Sequence, residues 1–225
     1  MKKNYLLFDL DGTLTDPMEG ITRSVQYALK HYGIWEPDRR KLCPFIGPPL
    51  KQGFMKYYGF EAKKAEEAVE VYREYYKRQG IFENFVYPGI PEMLEALKSG
   101  GQKILLATSK PEVFARQILE HFDLDRYFDF IGGADMGEAR AQKGDVIRYV
   151  LEENGIADVS QAVMAGDREY DILGAAENGI DSVGVLFGYG SRRELEMAGA
   201  KVLAETVENL GHLLAGEWED GYVKG

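Results

Sequence analysis

The sequence predicts an α/β fold: a parallel sheet with helices on both faces, and a small helical domain inserted after the first strand. Three observations predict it. From Val86 onward, short apolar runs alternate with segments of helical periodicity, the pattern of strands joined by helical crossovers. One apolar run, Tyr5–Phe8, stands apart near the start of the chain. Between Gly20 and about Gly80, only helical patterns occur.

Tyr5-Leu6-Leu7-Phe8 reads as a buried strand ending at Asp9, and Asp11-Gly12 reads as a turn. Ile21, Val25, Ala28, Leu29 and Tyr32 recur at helical spacing. Leu50, Phe54, Tyr57 and Tyr58 do so again after Pro48-Pro49. Ala65, Ala68, Val69, Tyr72, Tyr75 and Tyr76 form a third apolar stripe on a strongly charged helix. Further strands are predicted at 104–107, 128–131, 162–165 and 183–187, with a short edge strand at 201–203. Helices are predicted between them at 90–97, 113–121, 145–153 and 170–178. The strands are continuously apolar, as in a sheet buried on both faces. A core of residues 1–15 and 83–225 and an insertion of residues 16–82 are therefore expected.

The 225 residues carry a net charge of −10 and contain no long basic run. Binding to a nucleic-acid backbone is not expected. Cys43 is the only cysteine, so no internal disulfide can form, and a reducing compartment is the reading. The apolar run after Lys2-Lys3 is too short for a secretion signal, and no stretch is long enough to span a membrane. A cytoplasmic protein without membrane or nucleic-acid partners is expected, as a monomer or a homodimer.

Four polar pieces follow the strands. Asp9 and Asp11 lie one residue apart just past the first strand, with Gly12 and Thr13 behind them. Two carboxylates so close repel unless a cation sits between them or one holds a proton. Alone, the pattern also fits a turn that merely closes a strand. Thr108-Ser109 ends the second strand of the core, and Pro111 opens a helical pattern. Ser109 or a neighbour is expected to cap that helix, whose free N–H groups suit a phosphate. Lys143 precedes a helix with the apolar face Val146, Ile147, Val150 and Leu151. There it opposes the helix dipole unless an anion is near. Asp167 follows the 162–165 strand, and Asp171 comes one helical turn later. Each piece has an ordinary structural reading, as a turn, a cap or a solvated charge. Their combination on successive strands of one sheet is far more specific.

In that combination the chain resembles the haloacid dehalogenase (HAD) superfamily of hydrolases. Phe8-Asp9-Leu10-Asp11-Gly12-Thr13-Leu14 is similar to the first motif of the family, and Thr108, Lys143 and Gly166-Asp167…Asp171 to the other three. The helical insertion resembles the small cap of the phosphoglycolate phosphatase-like branch, on a Rossmann-like core. Gly20–Leu29 and Phe45-Ile46-Gly47-Pro48-Pro49-Leu50 are similar to bacterial HAD-type 5′-nucleotidases.

The resemblance implies a Mg²⁺-dependent phosphatase. Asp9 would be the nucleophile and Asp11 the acid and base. Thr108, Ser109, Lys143 and Gly12 would hold the phosphate. Asp9, Asp11 (through its backbone carbonyl) and Asp167 would hold Mg²⁺, with Asp171 on metal waters or orienting Lys143. The presence of Asp11 argues against a dehalogenase, because a departing halide needs no proton. The substrate would be a small phosphorylated metabolite, with a nucleoside 5′-monophosphate as the first expectation. Phosphoglycolate, a sugar phosphate undergoing mutation and pyrophosphate remain open, as does a phosphate sensor or scaffold without turnover. Phe45, Gly47, Pro48, Lys51 and Arg23 are the expected substrate contacts from the insertion. Its aromatic residues read either as a stacking platform for a nucleobase or as the packing of a small helical bundle.

Overall fold

The computed structural model describes residues 2–136, 140 and 142–216. The chain divides into two compact units, one of Met1–Thr15 with Val86–Gly225 and one of Asp16–Phe85. It passes between them at β2 (Thr15–Asp16) and β3 (Phe85–Val86), which pair as a separate two-stranded sheet.

The larger unit is built on β1 (Tyr5–Phe8), β4 (Lys103–Pro111), β5 (Phe130–Ala134), β6 (Ala162–Gly166), β7 (Asp181–Val185) and β8 (Leu203–Ala204). They form one parallel sheet in the order β5-β4-β1-β6-β7-β8. The helices of this unit are α4 (Ile90–Ser99), α5 (Glu112–His121), α6 (Lys143–Glu153), α7 (Glu169–Glu177), α8 (Arg192–Met197) and α9 (Val207–Ala215). Leu7, Leu105, Ala107 and Met164 point to one face of the sheet. There they join Val146, Ile147 and Val150 of α6 and Ala175 of α7 in one buried cluster. Strand side chains alternate, so Leu6, Phe8, Ile104 and Leu106 face the opposite way, and they are equally buried. Full burial of such side chains contributes roughly 1.5–3 kcal/mol each. It is this two-sided burial that gives the strands their unbroken apolar character.

The strand order places the site. β1 lies between β4 and β6, with Phe8 paired to Leu106 on one side and Ala165 on the other. The chain goes from β1 out to β4 and β5 on one side and then crosses back to β6 on the other, so a crevice opens at the carboxyl ends of these three strands. Asp9, Thr108 and Asp167 all lie at that edge.

Several boundaries differ from expectation, with β5 at Phe130–Ala134 and β7 at Asp181–Val185 each shifted by two or three residues. β4 continues to Pro111, and α5 starts only at Glu112, with Pro111 in the cap position and no side-chain cap. Ser109 is therefore strand, not helix cap. The pairing of β4 with β5 runs on past Thr108 through a register shift, which outcompetes a local Ser cap. The edge strand is displaced, lying at Leu203–Ala204.

The smaller unit contains α1 (Met18–His31), a 3₁₀ segment at Arg39–Phe45, α2 (Leu50–Tyr58) and α3 (Ala62–Tyr75), which runs into a π-helical turn at Tyr76–Gly80. Val25, Ala28, Leu29, Phe54, Ala65 and Ala68 are fully buried at its centre. Gly20 and Gly80 let α1 and the π turn touch backbone to backbone, since a Cβ on Gly20 would lie 1.8 Å from the Gly80 carbonyl oxygen. Among the described residues, no helix is long and apolar enough to cross a membrane.

Candidate active site

Asp9 follows the last residue of β1, and its N–H donates to the Ala165 carbonyl of β6 at 3.0 Å, carrying the strand pairing one residue further. Its carboxylate is almost wholly buried and meets Lys143, whose Nζ donates to Asp9 Oδ1 at 2.7 Å. The same Nζ lies 2.8 Å from Asp171 Oδ1 and donates to the Ala107 carbonyl at 3.0 Å. Burial alone would lower the Lys143 pKa, but Asp171 and Asp9 outweigh it and hold the ammonium charged. Lys143 sits at the N-terminus of α6, where the helix dipole disfavours it. The two carboxylates offset that penalty.

Asp167 follows β6 and is fully buried. Its Oδ2 accepts the Tyr189 backbone N–H at 2.7 Å. Its Oδ1 is buried without a hydrogen-bond partner among the described residues. Burial, reinforced by Asp171 and Asp9, pushes the Asp167 pKa well above the usual carboxylate range. Asp171 lies in the first turn of α7, and its Oδ2 accepts the Arg168 N–H at 3.0 Å. Burial raises Asp171 to about 6, against the pull of Lys143.

Asp9, Asp167 and Asp171 each bring a carboxylate oxygen within 4.8 Å of one another. Asp11 adds a fourth buried carboxylate, paired through Oδ2 with Lys110 Nζ at 2.8 Å. Burial raises the Asp11 pKa, and Lys110 works against that rise. The ammonium groups of Lys143 and Lys110 face the four carboxylates, so two negative charges are left over when all are ionised. A divalent cation balances that excess and satisfies the lone acceptor on Asp167. Hard carboxylate oxygens suit such an ion. The donor set therefore fits a divalent metal.

Close backbone approach shapes the pocket around Asp167. Gly12 has a left-handed φ of 86°, and a Cβ there would lie 2.3 Å from Asp167 Oδ2. Gly188 and Gly190, past the end of β7, bracket Asp167 from the other side: Cβ atoms there would meet Asp167 Cβ at 2.4 Å and its carbonyl oxygen at 1.8 Å. Only glycine fits these positions.

Thr108 is buried in β4, and its Oγ1 accepts the Lys110 N–H at 3.2 Å. Ser109 is half-buried beside it. The larger unit thus brings Asp9, Asp11, Gly12, Thr108, Ser109, Lys143, Asp167 and Asp171 to the carboxyl edge of one sheet. Sequence reasoning missed Lys110, the Tyr189 amide and the glycines at 188 and 190. The Gly-x-Gly spacing just past a predicted strand was the only signal for the last three.

The residues expected from the insertion lie within the smaller unit. Phe45 is buried, with its ring 5.1 Å from Phe54, 5.7 Å from Tyr57 and 6.1 Å from Tyr58. Gly47 takes a left-handed φ of 97°, and Pro48 is half-buried in the turn before α2. Lys51 pairs with Glu66 at 2.6 Å. Arg23 pairs with Glu19 at 2.5 Å and Glu83 at 3.0 Å. Phe45 therefore packs its own unit, as do Phe54, Phe60 and Tyr72, all of them buried.

The family profile described as "Haloacid dehalogenase-like hydrolase" matches residues 6–185. A 5′-nucleotidase of Pseudomonas aeruginosa is 53% identical over 190 residues, spanning 84% of this chain and 86% of that protein. A phosphoglycolate phosphatase of Aquifex aeolicus is 34% identical over 185 residues, spanning 82% and 85%. The crystal structure of a predicted phosphatase from Clostridium acetobutylicum superposes with a TM-score of 0.93 at 48% identity, covering 96% of this chain and all of that one. With the motif residues gathered at one sheet edge and these relatives alongside, the chain belongs to the haloacid dehalogenase-like hydrolase family, as a phosphoric monoester hydrolase.

Proposed function

We propose that the protein is a Mg²⁺-dependent phosphatase that works through an aspartyl-phosphate on Asp9, with nucleoside 5′-monophosphates as substrates. The observation that carries the chemistry is the buried Asp9–Lys143–Asp171 ion triad beside Asp167, at the crevice of a parallel sheet. Lys143 keeps Asp9 oriented and supplies its counter-charge in a buried site. In this reading Asp9 attacks phosphorus in line, and the bond to the ester oxygen breaks as the new bond forms. Asp11, whose burial favours the protonated form, gives its proton to the departing oxygen. The resulting Asp11 carboxylate then takes a proton from the water that releases phosphate from Asp9. Thr108, Ser109, Gly12 and Lys143 hold the phosphoryl oxygens.

Asp9 and Asp167, with the Asp11 backbone carbonyl, would hold Mg²⁺, and Asp171 orients Lys143. When bound, Mg²⁺ supplies positive charge that offsets repulsion between an anionic nucleophile and an anionic ester. Removing one preorganised donor aimed at developing charge typically costs about 10²–10³ in rate.

The substrate assignment draws on the 53% identity to a 5′-nucleotidase and on the segments Gly20–Leu29 and Phe45–Leu50. A panel of purified phosphomonoesters tests it. Nucleoside 5′-monophosphates are expected to give the highest kcat/KM. Preference for phosphoglycolate over every nucleotide would replace this substrate class and leave the phosphatase chemistry standing.

A further inference from the structure

We propose that Lys110 is a positioning residue for the proton donor: it holds Asp11 by Oδ2 and leaves Oδ1 as the oxygen that serves the leaving group. The inference rests on the reading of Asp11 as the acid.

The local backbone is built to bring this lysine inward. β4 loses its register with β5 between Thr108 and Pro111, an irregularity of the kind that re-aims a side chain. Gly133 of β5 accommodates it, since a Cβ there would lie 2.7 Å from the Lys110 carbonyl oxygen. The Lys110 amide is tied to Thr108 Oγ1, and its Nζ reaches Asp11 Oδ2 at 2.8 Å. Both side chains of this pair are nearly sealed from water, at 6% and 10% exposure. One residue thus links the threonine of the phosphate site to the acid.

Burying an ammonium costs desolvation and the freedom of a long side chain. Lys143 already serves Asp9 and Asp171, so Lys110 is a second cation directed at a different carboxylate. The two oxygens of Asp11 are not equivalent. Oδ2 is engaged by Lys110, and Oδ1 is buried with no hydrogen-bond partner among the described residues. A carboxyl free to rotate would present either oxygen, and the ion pair removes that freedom.

The proton matters unequally for different esters. When Asp9 bonds to phosphorus, the P–O ester bond breaks and its electron pair stays on the ester oxygen. The Asp11 proton then bonds to that oxygen, giving a neutral alcohol and an Asp11 carboxylate. An alkyl oxygen depends on this proton. A p-nitrophenolate leaves as a stable anion and does not.

The experiment compares wild type, Lys110→Met, Asp11→Asn and the double variant at saturating Mg²⁺. The probes are p-nitrophenyl phosphate and an alkyl ester, either adenosine 5′-monophosphate or phosphoglycolate, whichever turns over faster. Lys110→Met is expected to lose on the order of 10²-fold more kcat/KM on the alkyl ester than on the aryl ester. The double variant is expected to discriminate no more than Asp11→Asn alone, because Lys110 acts through Asp11. The double variant leaves neither buried charge unpaired, so it keeps the comparison available should Lys110→Met fail to fold. Equal losses on both esters in Lys110→Met, or a larger alkyl-versus-aryl gap in the double variant than in Asp11→Asn, would overturn the role of Lys110. Absence of discrimination in Asp11→Asn would instead overturn the acid assignment, and with it this inference.

Discussion

Lys143 Nζ and Asp9 Oδ1 lie 2.7 Å apart with both side chains almost fully buried. Neither group is tolerable there alone, because a lone charge in a dry site costs several kcal/mol. Lys143→Met is therefore expected to destabilise the metal-free fold by roughly 3–5 kcal/mol, since it leaves Asp9 and Asp171 without their counter-ion. Chemical denaturation without added metal measures this. A loss under about 1 kcal/mol, the range of surface pairs, would contradict the buried-triad account.

Asp9→Asn makes the opposite electrostatic change. Asp9 raises the pKa of both Asp167 and Asp171, so neutralising it relieves repulsion while Lys143 keeps Asp171. The variant is expected to stay folded and to lose turnover by about 10⁴-fold or more, the scale of nucleophile removal. Thermal unfolding and a phosphate-release assay read the two effects separately. Near wild-type turnover in the purified variant would remove Asp9 from the nucleophile role.

Magnesium and protons compete for the same oxygens. Asp171 titrates near 6 in the folded protein, against an ordinary value of 3.8, and Asp167 is also displaced upward. Between about 4 and 6 the metal-free folded state thus holds more protons than the unfolded chain. By linkage, these groups make metal-free stability fall as pH rises through that window. Mg²⁺ is expected to stabilise strongly near pH 8, by about 2.7 kcal/mol at a hundred times its Kd. Near pH 5 the gain shrinks, because the ion must displace protons. Thermal unfolding at both pH values, with Mg²⁺ and with EDTA, checks the sign. EDTA is also expected to silence turnover, and Mg²⁺ to restore it.

Gly188→Ala probes the cage around Asp167. A Cβ at this position would lie 2.3 Å from the Gly12 carbonyl oxygen and 2.4 Å from Asp167 Cβ, so Asp167 must move. Mg²⁺ affinity, measured by calorimetry, is expected to fall about 10–100-fold, as when a metal ligand loses its support. Unchanged affinity would mean that the turn after β7 does not position Asp167.

The sheet and the four polar pieces were legible because each strand is a continuous apolar run that stops at a polar residue. Asp9 and Asp167 mark such ends, Lys143 and Asp171 lie in the first turns of the helices α6 and α7, and the alternation of strands with helices carries them to one edge. Lys110 was not legible. Its inward direction comes from the register shift of β4 against β5, a tertiary effect with no local signature. The same shift displaced the helix start, so that Ser109 lies in strand where a cap was expected. The Tyr189 contact comes from a backbone amide, which any residue carries. In the helical unit, composition alone does not separate a stacking ring from a packing ring. Phe45 proves to be buried against Phe54, Tyr57 and Tyr58.

The central position of β1 also bears on how the chain comes together. Tyr5–Phe8 is synthesised before its neighbours β4 and β6, which emerge only after the whole helical unit. Until then this central strand has no hydrogen-bonding partner on either edge. The nascent chain therefore carries an exposed apolar segment through much of translation, a condition that invites self-association. The helical unit, continuous in sequence and rich in local contacts, is placed to fold first and to bring the two ends of its own insertion together. Closing that loop early shortens the search that β1 must make for β4.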